Sequence, residues 1–507
     1  MAARTSRRIS RSTVLRAACI LLVVVMSAIR VVAGADSRVV EAARRQDPEK
    51  IRALLQQRVD VNVAQADGAT ALHWAAHWND VDTADLLLRA GADPNAANEL
   101  GVTPLSLACT NASAAMVQRL LQAGANPNAK GARVAPLMTC ARTGSVEAVR
   151  ALIARKADVN AREPLRDQTA LMWAVSQKRA DVARVLIEHG ADVRARSRLS
   201  RVVVNRANPN DIYAAVVGTV SQGGSTPLLF AARQGDVESA RLLLASGANV
   251  NDLLPDGTSA LTVAAHSNHA PLVQLLLDRG ANPNIIGSGY TALHAAVLRG
   301  NAGSVRALVA RGAVINSRLR HGTPTTRGSR EFFLPESLTG ATPVWLAARF
   351  LEQELLRLLL ERGADPSLTL QDGTTMLMAA AGVGLQATLF DRRERIAALK
   401  DSDEPLAVPI VRLLIERGAD VNGSNELGDT ALHGAAKMNY PIVARMLVEQ
   451  GARLEARNKK GETPLAVAGG DEVKNVLRTL GAKLFRPDVR SPLCGPEREF
   501  CTRCATA

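Results

Sequence analysis

The chain has 507 residues, enough for several domains or one long repeat array, with 62 Lys and Arg against 48 Asp and Glu and a formal net charge of +14. Only 3% of the residues are aromatic, which argues against a nucleic-acid surface built from cations interleaved with stacking rings. Six of the arginines fall in the first 30 residues, so the remainder carries 56 bases against 48 acids, a surplus of +8 that calls for no polyanionic partner.

At the N-terminus Arg4, Arg7, Arg8, Arg11 and Arg16 precede an apolar run over 17–29, and Ala33-Gly34-Ala35 comes next, with no acidic residue before Asp36. That is the order of a secretory signal cleaved after Ala35, so the mature chain is expected to start at Asp36. The rival reading is a retained membrane anchor. Arg30 interrupts the run, which is shorter than the ~20 apolar residues of a spanning helix, so no stable membrane span is expected after signal removal. The protein is expected to be exported, to the periplasm or outside the cell.

Residues 67–99, D-G-A-T-A-L-H-W-A-A-H-W-N-D-V-D-T-A-D-L-L-L-R-A-G-A-D-P-N-A-A-N-E, set the pattern for most of the remaining chain. Thr70 precedes a short helix over 71–78, with its hydroxyl placed to close the helix N-terminus. Asn79-Asp80 breaks the run, and 81–90 restarts it with Ala84, Leu87 and Leu88 on one face. Gly91 has the place of a left-handed helix cap, and Asp93-Pro94-Asn95 is turn chemistry leading into the next copy. The period is near 33 residues, and a two-helix unit of that size buries its apolar face only by stacking on copies of itself.

The motifs T-A-L-H-W-A-A and G-A-D-P-N resemble the ankyrin repeat, which implies an all-α solenoid of about 12 helix-turn-helix units joined by short β-hairpin-like connections. A charged, diverged first unit over 38–62 acts as the end cap. The motif then recurs at 70–76, 103–109, 135–141, 169–175, 226–232, 259–265, 291–297, 342–348, 375–381, 430–436 and 463–469. In most copies the first Leu is followed 23 residues later by the Asn of G-A-x-x-N, as in Leu72 to Asn95, Leu105 to Asn128, Leu137 to Asn160 and Leu261 to Asn284. The solenoid is expected over 36–484. Three insertions break its period: 196–223 and 318–339 between units, and 385–406, which looks partly helical, inside one. Long loops of this kind are spacers or functional segments.

The tail, 485–507, leaves the pattern and holds Cys494, Cys501 and Cys504. Cys501 and Cys504 have C-x-x-C spacing, but Ala505 stands where haem attachment needs His, and no βαβ context supports a thioredoxin-like site. One or two disulfides stapling the tail is the plainer expectation in an oxidising compartment. A redox or metal-linked protein whose solenoid only presents this tail stays as the alternative. Cys109 and Cys140, in first helices of adjacent units, are expected to be buried thiols.

His73 and His77 are four apart on one helix, the spacing of a zinc pair, yet Trp74 stands where a metalloprotease needs Glu. His73, His294 and His433 share one repeat position, and the resemblance implies that each holds the preceding turn by hydrogen bonds. Acids and bases are scattered, with no G-x-S-x-G elbow and no complete dinucleotide loop at Gly287-Ser288-Gly289, so neither catalysis nor a cofactor or metal is expected. The resemblance also implies that a partner protein lies against hairpin tips and the C-terminal ends of the first helices. Seven and eight residues after the Thr position, those ends carry His77, Trp78, Arg142, Arg233, His266, Arg299, Arg349, Phe350 and Lys437, with no acid among them. The expected function is therefore a non-catalytic, exported scaffold binding a protein, with an acidic surface as the complement of that ladder. An effector acting on host proteins is a variant of the same reading.

Overall fold

The computed structural model describes residues 36–129, 134–208, 211–321, 336–384 and 403–483. The expected signal segment 1–35, the tail 485–507 with its three cysteines, and most of the second and third insertions lie outside the described residues.

Local chemistry sets each helix pair. In the copy that defines the pattern, Thr70 has extended backbone and caps a helix over Ala71–Trp78, reciprocally with His73. The Asp80 side chain accepts from Thr83 N–H to start the second helix, Val81–Arg89, whose Ala84 and Leu87 are buried. Gly91 follows at φ 91°, where a Cβ would be strained. First helices then stack on first helices and second on second, which brings Ala75 and Ala76 of one repeat into close contact with the next.

The chain divides into two compact bodies. The first takes the described residues up to Val202 together with Ser221–Ala281. It contains the cap pair Arg38–Arg44 and Pro48–Gln56, then six further pairs ending with Ala260–His266 and Ala270–Asp278. The second takes Val203–Val220 and the residues from Asn282 on. Its pairs begin at Ala292–Leu298 and Ala302–Ala310, and its last described helix is Asp471–Thr479. In the final repeat the expected first helix is reduced to a turn over 464–467. Gly469 donates its N–H to Ala436 O at 3.0 Å, and a Cβ there would fall 2.3 Å from Lys437 O, so backbone meets backbone where a helix would not fit.

Three further expectations change. The insertion 196–223 is not a plain loop: it forms a ribbon of β1, Ser200–Asn208, and β2, Asp211–Gln222. Two residues join the strands, which only an antiparallel pair allows. The third insertion ends earlier than 406, because Leu406 already belongs to the helix Glu404–Glu416. Cys109 and Cys140 are not free thiols: both are fully buried and joined as a disulfide, Cα to Cα 4.5 Å, across two stacked first helices. The expected burial holds, and the stacking of adjacent first helices is what brings the two sulfurs together.

Candidate interaction surface

Two kinds of clip hold the repeats in register. The register Asn side chain works in both directions. In the first body Asn62, Asn95, Asn128 and Asn160 each donate Nδ2 to a carbonyl of the next repeat: Gly91 at 2.9, Gly124 at 3.0, Lys156 at 2.9 and Gly190 at 2.9 Å. Each Oδ1 accepts a backbone N–H two residues beyond that carbonyl, from Asp93, Asn126, Asp158 and Asp192 at 2.7 to 2.8 Å. Asn284 and Asn422 repeat the arrangement in the second body. The 23-residue spacing in the sequence is the mark of this two-way bond.

The other clip is histidine. Nδ1 of His73 accepts from Thr70 N–H at 3.1 Å, so Nε2 carries the proton and donates to Val102 O at 2.9 Å in the next repeat. His294 and His433 do the same, reaching Ala341 O at 3.2 Å and Glu462 O at 3.1 Å. Burial lowers the pKa of His73 below its ordinary value and that of the fully buried His294 to about 4. Both imidazoles are therefore neutral structural groups at neutral pH. Among the described residues no cluster of three or more His, Cys, Asp or Glu is placed to hold a metal ion.

On this frame the helix-end ladder separates into two positions. The eighth residue is turned back on the preceding repeat: Trp78 Nε1 donates to Arg44 O at 3.2 Å, Asn111 Nδ2 to His77 O at 2.8 Å, and Thr143 Oγ1 to Cys109 O at 2.9 Å. These bonds close the open carbonyl end of the neighbouring first helix. The seventh residue faces outward, and in the first body His77, Arg142 and Arg233 are exposed while His266 is half-buried.

A further position, four residues after the Thr, is one that sequence reasoning missed. It holds Trp74, Trp173 and Phe230, all half-buried, and it supplies the rings against which the seventh residues lie. Trp74, His77 and Trp78 form one cluster, with His77 edge-on to Trp74 at 5.6 Å and to Trp78 at 4.7 Å between ring centroids. Trp78 remains 43% exposed. The Arg142 guanidinium sits 5.4 Å from the Trp173 centroid, and that of Arg233 is 6.0 Å from Phe230. The signal that marks this position is an aromatic recurring at one place in the repeat. In the second body Leu298 fills the seventh position and is buried, Arg299, Arg349 and Phe350 are half-buried, and Lys437 is exposed. Arg349 there donates to Gly384 O at 3.3 Å.

The family model for ankyrin repeats in three copies matches residues 39–131, 132–197, 207–286, 228–318 and 397–489, well over half of the chain. The chain belongs to the ankyrin repeat family. This ankyrin repeat protein is 35% identical over 161 residues to the B-cell lymphoma 3 protein homolog of Mus musculus, a match covering 29% of this chain and 36% of the relative. It is 35% identical over 145 residues to a putative ankyrin repeat-containing protein of Treponema pallidum (strain Nichols), covering 27% of this chain and 49% of the relative. The matches thus span less than half the length of each. The human ASB11 ankyrin repeat domain in its crystal structure shares 30% identity at a TM-score of 0.40, covering 48% of this chain and 98% of that one.

Ankyrin repeats bind other proteins, and the fold is typically non-catalytic. Among the described residues, no helix is long and apolar enough to cross a membrane.

Proposed function

We propose that this ankyrin repeat protein is an exported, non-catalytic scaffold that captures a partner protein with an acidic surface through the first-helix ends of its first body. One observation carries the reading. Between residues 74 and 233 the outward positions hold rings and cations in close association, with Trp74, His77, Trp78, Arg142 on Trp173 and Arg233 by Phe230, and the seventh and eighth positions hold no acid. Aromatic anchors beside cations that are already desolvated on one face are the composition of an interface hot spot. His266 holds the same position in the first body with less exposed surface, and within the second body Arg299, Arg349, Phe350 and Lys437 hold the corresponding helix ends.

The experiment begins with cross-linking and mass spectrometry in producing cells to identify the partner. Affinity for the purified partner is then compared between the native chain and Arg142→Glu/Arg233→Glu. The double substitution is expected to weaken binding by at least about 100-fold, two charge reversals at ~1.4 kcal/mol or more each, and to flatten its salt dependence. Unchanged affinity with unchanged helicity sinks the assignment.

Export is supported by the charged and apolar order of the first 35 residues and by the Cys109–Cys140 disulfide, a bond suited to an oxidising compartment. N-terminal sequencing of the protein from producing cells should begin at Asp36. An unprocessed chain recovered from the cytosol rejects this part of the proposal.

A further inference from the structure

One joint in the first body lacks half of its clip. Twenty-three residues after Leu171, where other repeats carry Asn, stands Arg194. Its Nε takes over the donor role and reaches Gly247 O at 3.0 Å. A guanidinium has no acceptor to offer in return. Asn249 is the counterpart of Asp93, Asn126, Asp158 and Asp192, yet its N–H donates to no group among the described residues.

Asn249 lines a cleft of about 680 Å3 together with Val193, Arg194, Arg196, Thr226, Arg279 and others. Arg196 is engaged through both terminal nitrogens. It pairs with Asp252 and donates to Gly224 O at 2.8 Å and Leu253 O at 3.0 Å, while Asp252 also accepts from the Thr226 hydroxyl and from Leu253 N–H. Asp192, the acid beside Arg194 in the chain, accepts the Arg194 backbone N–H at 2.8 Å. The two terminal nitrogens of Arg194 and the whole guanidinium of the exposed Arg279 have no protein acceptor among the described residues. The cleft therefore offers two uncompensated cations and one backbone donor that every intact Asn joint satisfies.

The chain itself shows which group suits the missing post. At the last joint the residue 23 places after Leu432 is Glu455, and its Oε1 accepts Lys483 N–H at 3.0 Å. A carboxylate thus serves where Asn Oδ1 serves elsewhere. We propose that the Arg194 cleft binds an oxyanion-bearing ligand, whose carboxylate accepts from Asn249 N–H and is flanked by Arg194 and Arg279. An acidic peptide segment and a free tricarboxylate carry the same chemistry, and the cleft has the volume of an ordinary ligand pocket. This site is separate from the helix-end surface proposed for partner capture.

The test uses the full chain at physiological ionic strength, with a fluorescein-labelled tetraglutamate peptide, its tetraglutamine counterpart and citrate as probes, followed by anisotropy and calorimetry. The native chain is expected to bind tetraglutamate, citrate or both, and not tetraglutamine. Tetraglutamate alone identifies a peptide as the source and citrate alone a small anion. Arg279→Ala and Arg194→Asn are each expected to weaken binding by about tenfold, the worth of one charge-assisted hydrogen bond. Arg194→Asn installs the residue the other joints use and supplies its own Oδ1, so it closes the post without threatening the fold. Failure of the native chain to bind either acidic probe, equal binding of tetraglutamine, or native-like binding by both variants overturns the proposal. Arg142→Glu/Arg233→Glu should leave this binding intact and Arg279→Ala should leave partner capture intact, so the two readings can fail separately.

Discussion

The two bodies are built from one repeat but spend its outward positions differently. In the first, the seventh position carries exposed His77, Arg142 and Arg233 against rings at the fourth, while in the second it varies, with Leu298 buried, Arg349 half-buried and hydrogen-bonded to Gly384 O, and Lys437 exposed. Their stabilising devices differ as well. A covalent bond, Cys109 to Cys140, ties two repeats of the first body, whereas the second holds the fully buried histidine His294. Repeats of one shape can therefore be tuned separately for surface and for stability, because each buries its core only against its neighbours. Perturbations directed at one body should leave the other nearly untouched.

The largest separation is expected from the disulfide. Its sequence separation is 31 residues. Cross-linking a loop of that size lowers the entropy of the unfolded chain by an amount equivalent to about 3 to 4 kcal/mol. Cys109→Ala/Cys140→Ala should therefore lower the stability of the first body by that order, seen as faster amide exchange in the helices Pro104–Thr110 and Pro136–Thr143. Exchange in the helices from Ala292 on should not change. Equal losses in both bodies would show that they unfold as one cooperative unit.

Acid should weigh more heavily on the second body, although burial also lowers the pKa of His73 in the first. His294 has a folded pKa of about 4 against an ordinary value of 6.5, so its stabilising neutral form is fully present above pH 6.5 and its contribution is lost as pH falls from there to about 4. The unfolded chain takes up the proton first, and a gap of that size between the two pKa values corresponds to roughly 3 kcal/mol lost by the time the folded histidine is half protonated. Glu404, whose burial raises its pKa, favours the folded state on acidification and offsets part of this at the lower end. Denaturant titrations from neutral pH down to the folded pKa of His294, read through amide exchange around Ala292–Leu298, should show the slope. In His294→Asn the loss on acidification should vanish, leaving only the opposite contribution of Glu404. If it persists, another group is responsible.

Most of the fold is legible because the sequence carries the physical contacts in its spacing. The run from Leu72 to Asn95 repeats because Asn must meet both a carbonyl and an N–H of the next repeat, and Thr70 with His73 marks a helix start that the two side chains close together. The features that escape sequence reading lie between repeats. Cys109 and Cys140 look like separate buried thiols along the chain, although stacking of first helices puts them side by side. Trp74, Trp173 and Phe230 fall among apolar helix residues and carry no mark of their own until the seventh position is seen lying against them. Trp78 reads as a free anchor, although the eighth position has a hydrogen-bonding duty in the first body. The ribbon Ser200–Asn208 with Asp211–Gln222 is signalled by its β-branched residues, Val202, Val203, Val204 and Ile212 among them.

The smallest predicted effect sharpens the comparison within the first body, between the joint at Asn160 and the joint at Arg194. Asn160→Ala removes a donor to Gly190 O and an acceptor for Asp192 N–H, both exposed bonds, and should cost about 1 to 2 kcal/mol. Arg194→Asn restores the acceptor that Asn249 N–H lacks while exchanging one donor to Gly247 O for another. It also removes one of the two cations that line the cleft without a counter-charge. The change should therefore stabilise the first body by about 0.5 to 1 kcal/mol in the absence of anions. Urea melts of the two variants, with and without citrate, measure both signs. Citrate should raise the midpoint of the native chain and narrow its gap to Arg194→Asn, because ligand and asparagine would then fill the same post. A destabilised Arg194→Asn would mean that the arginine is held there by the ribbon that follows it and not by the cleft.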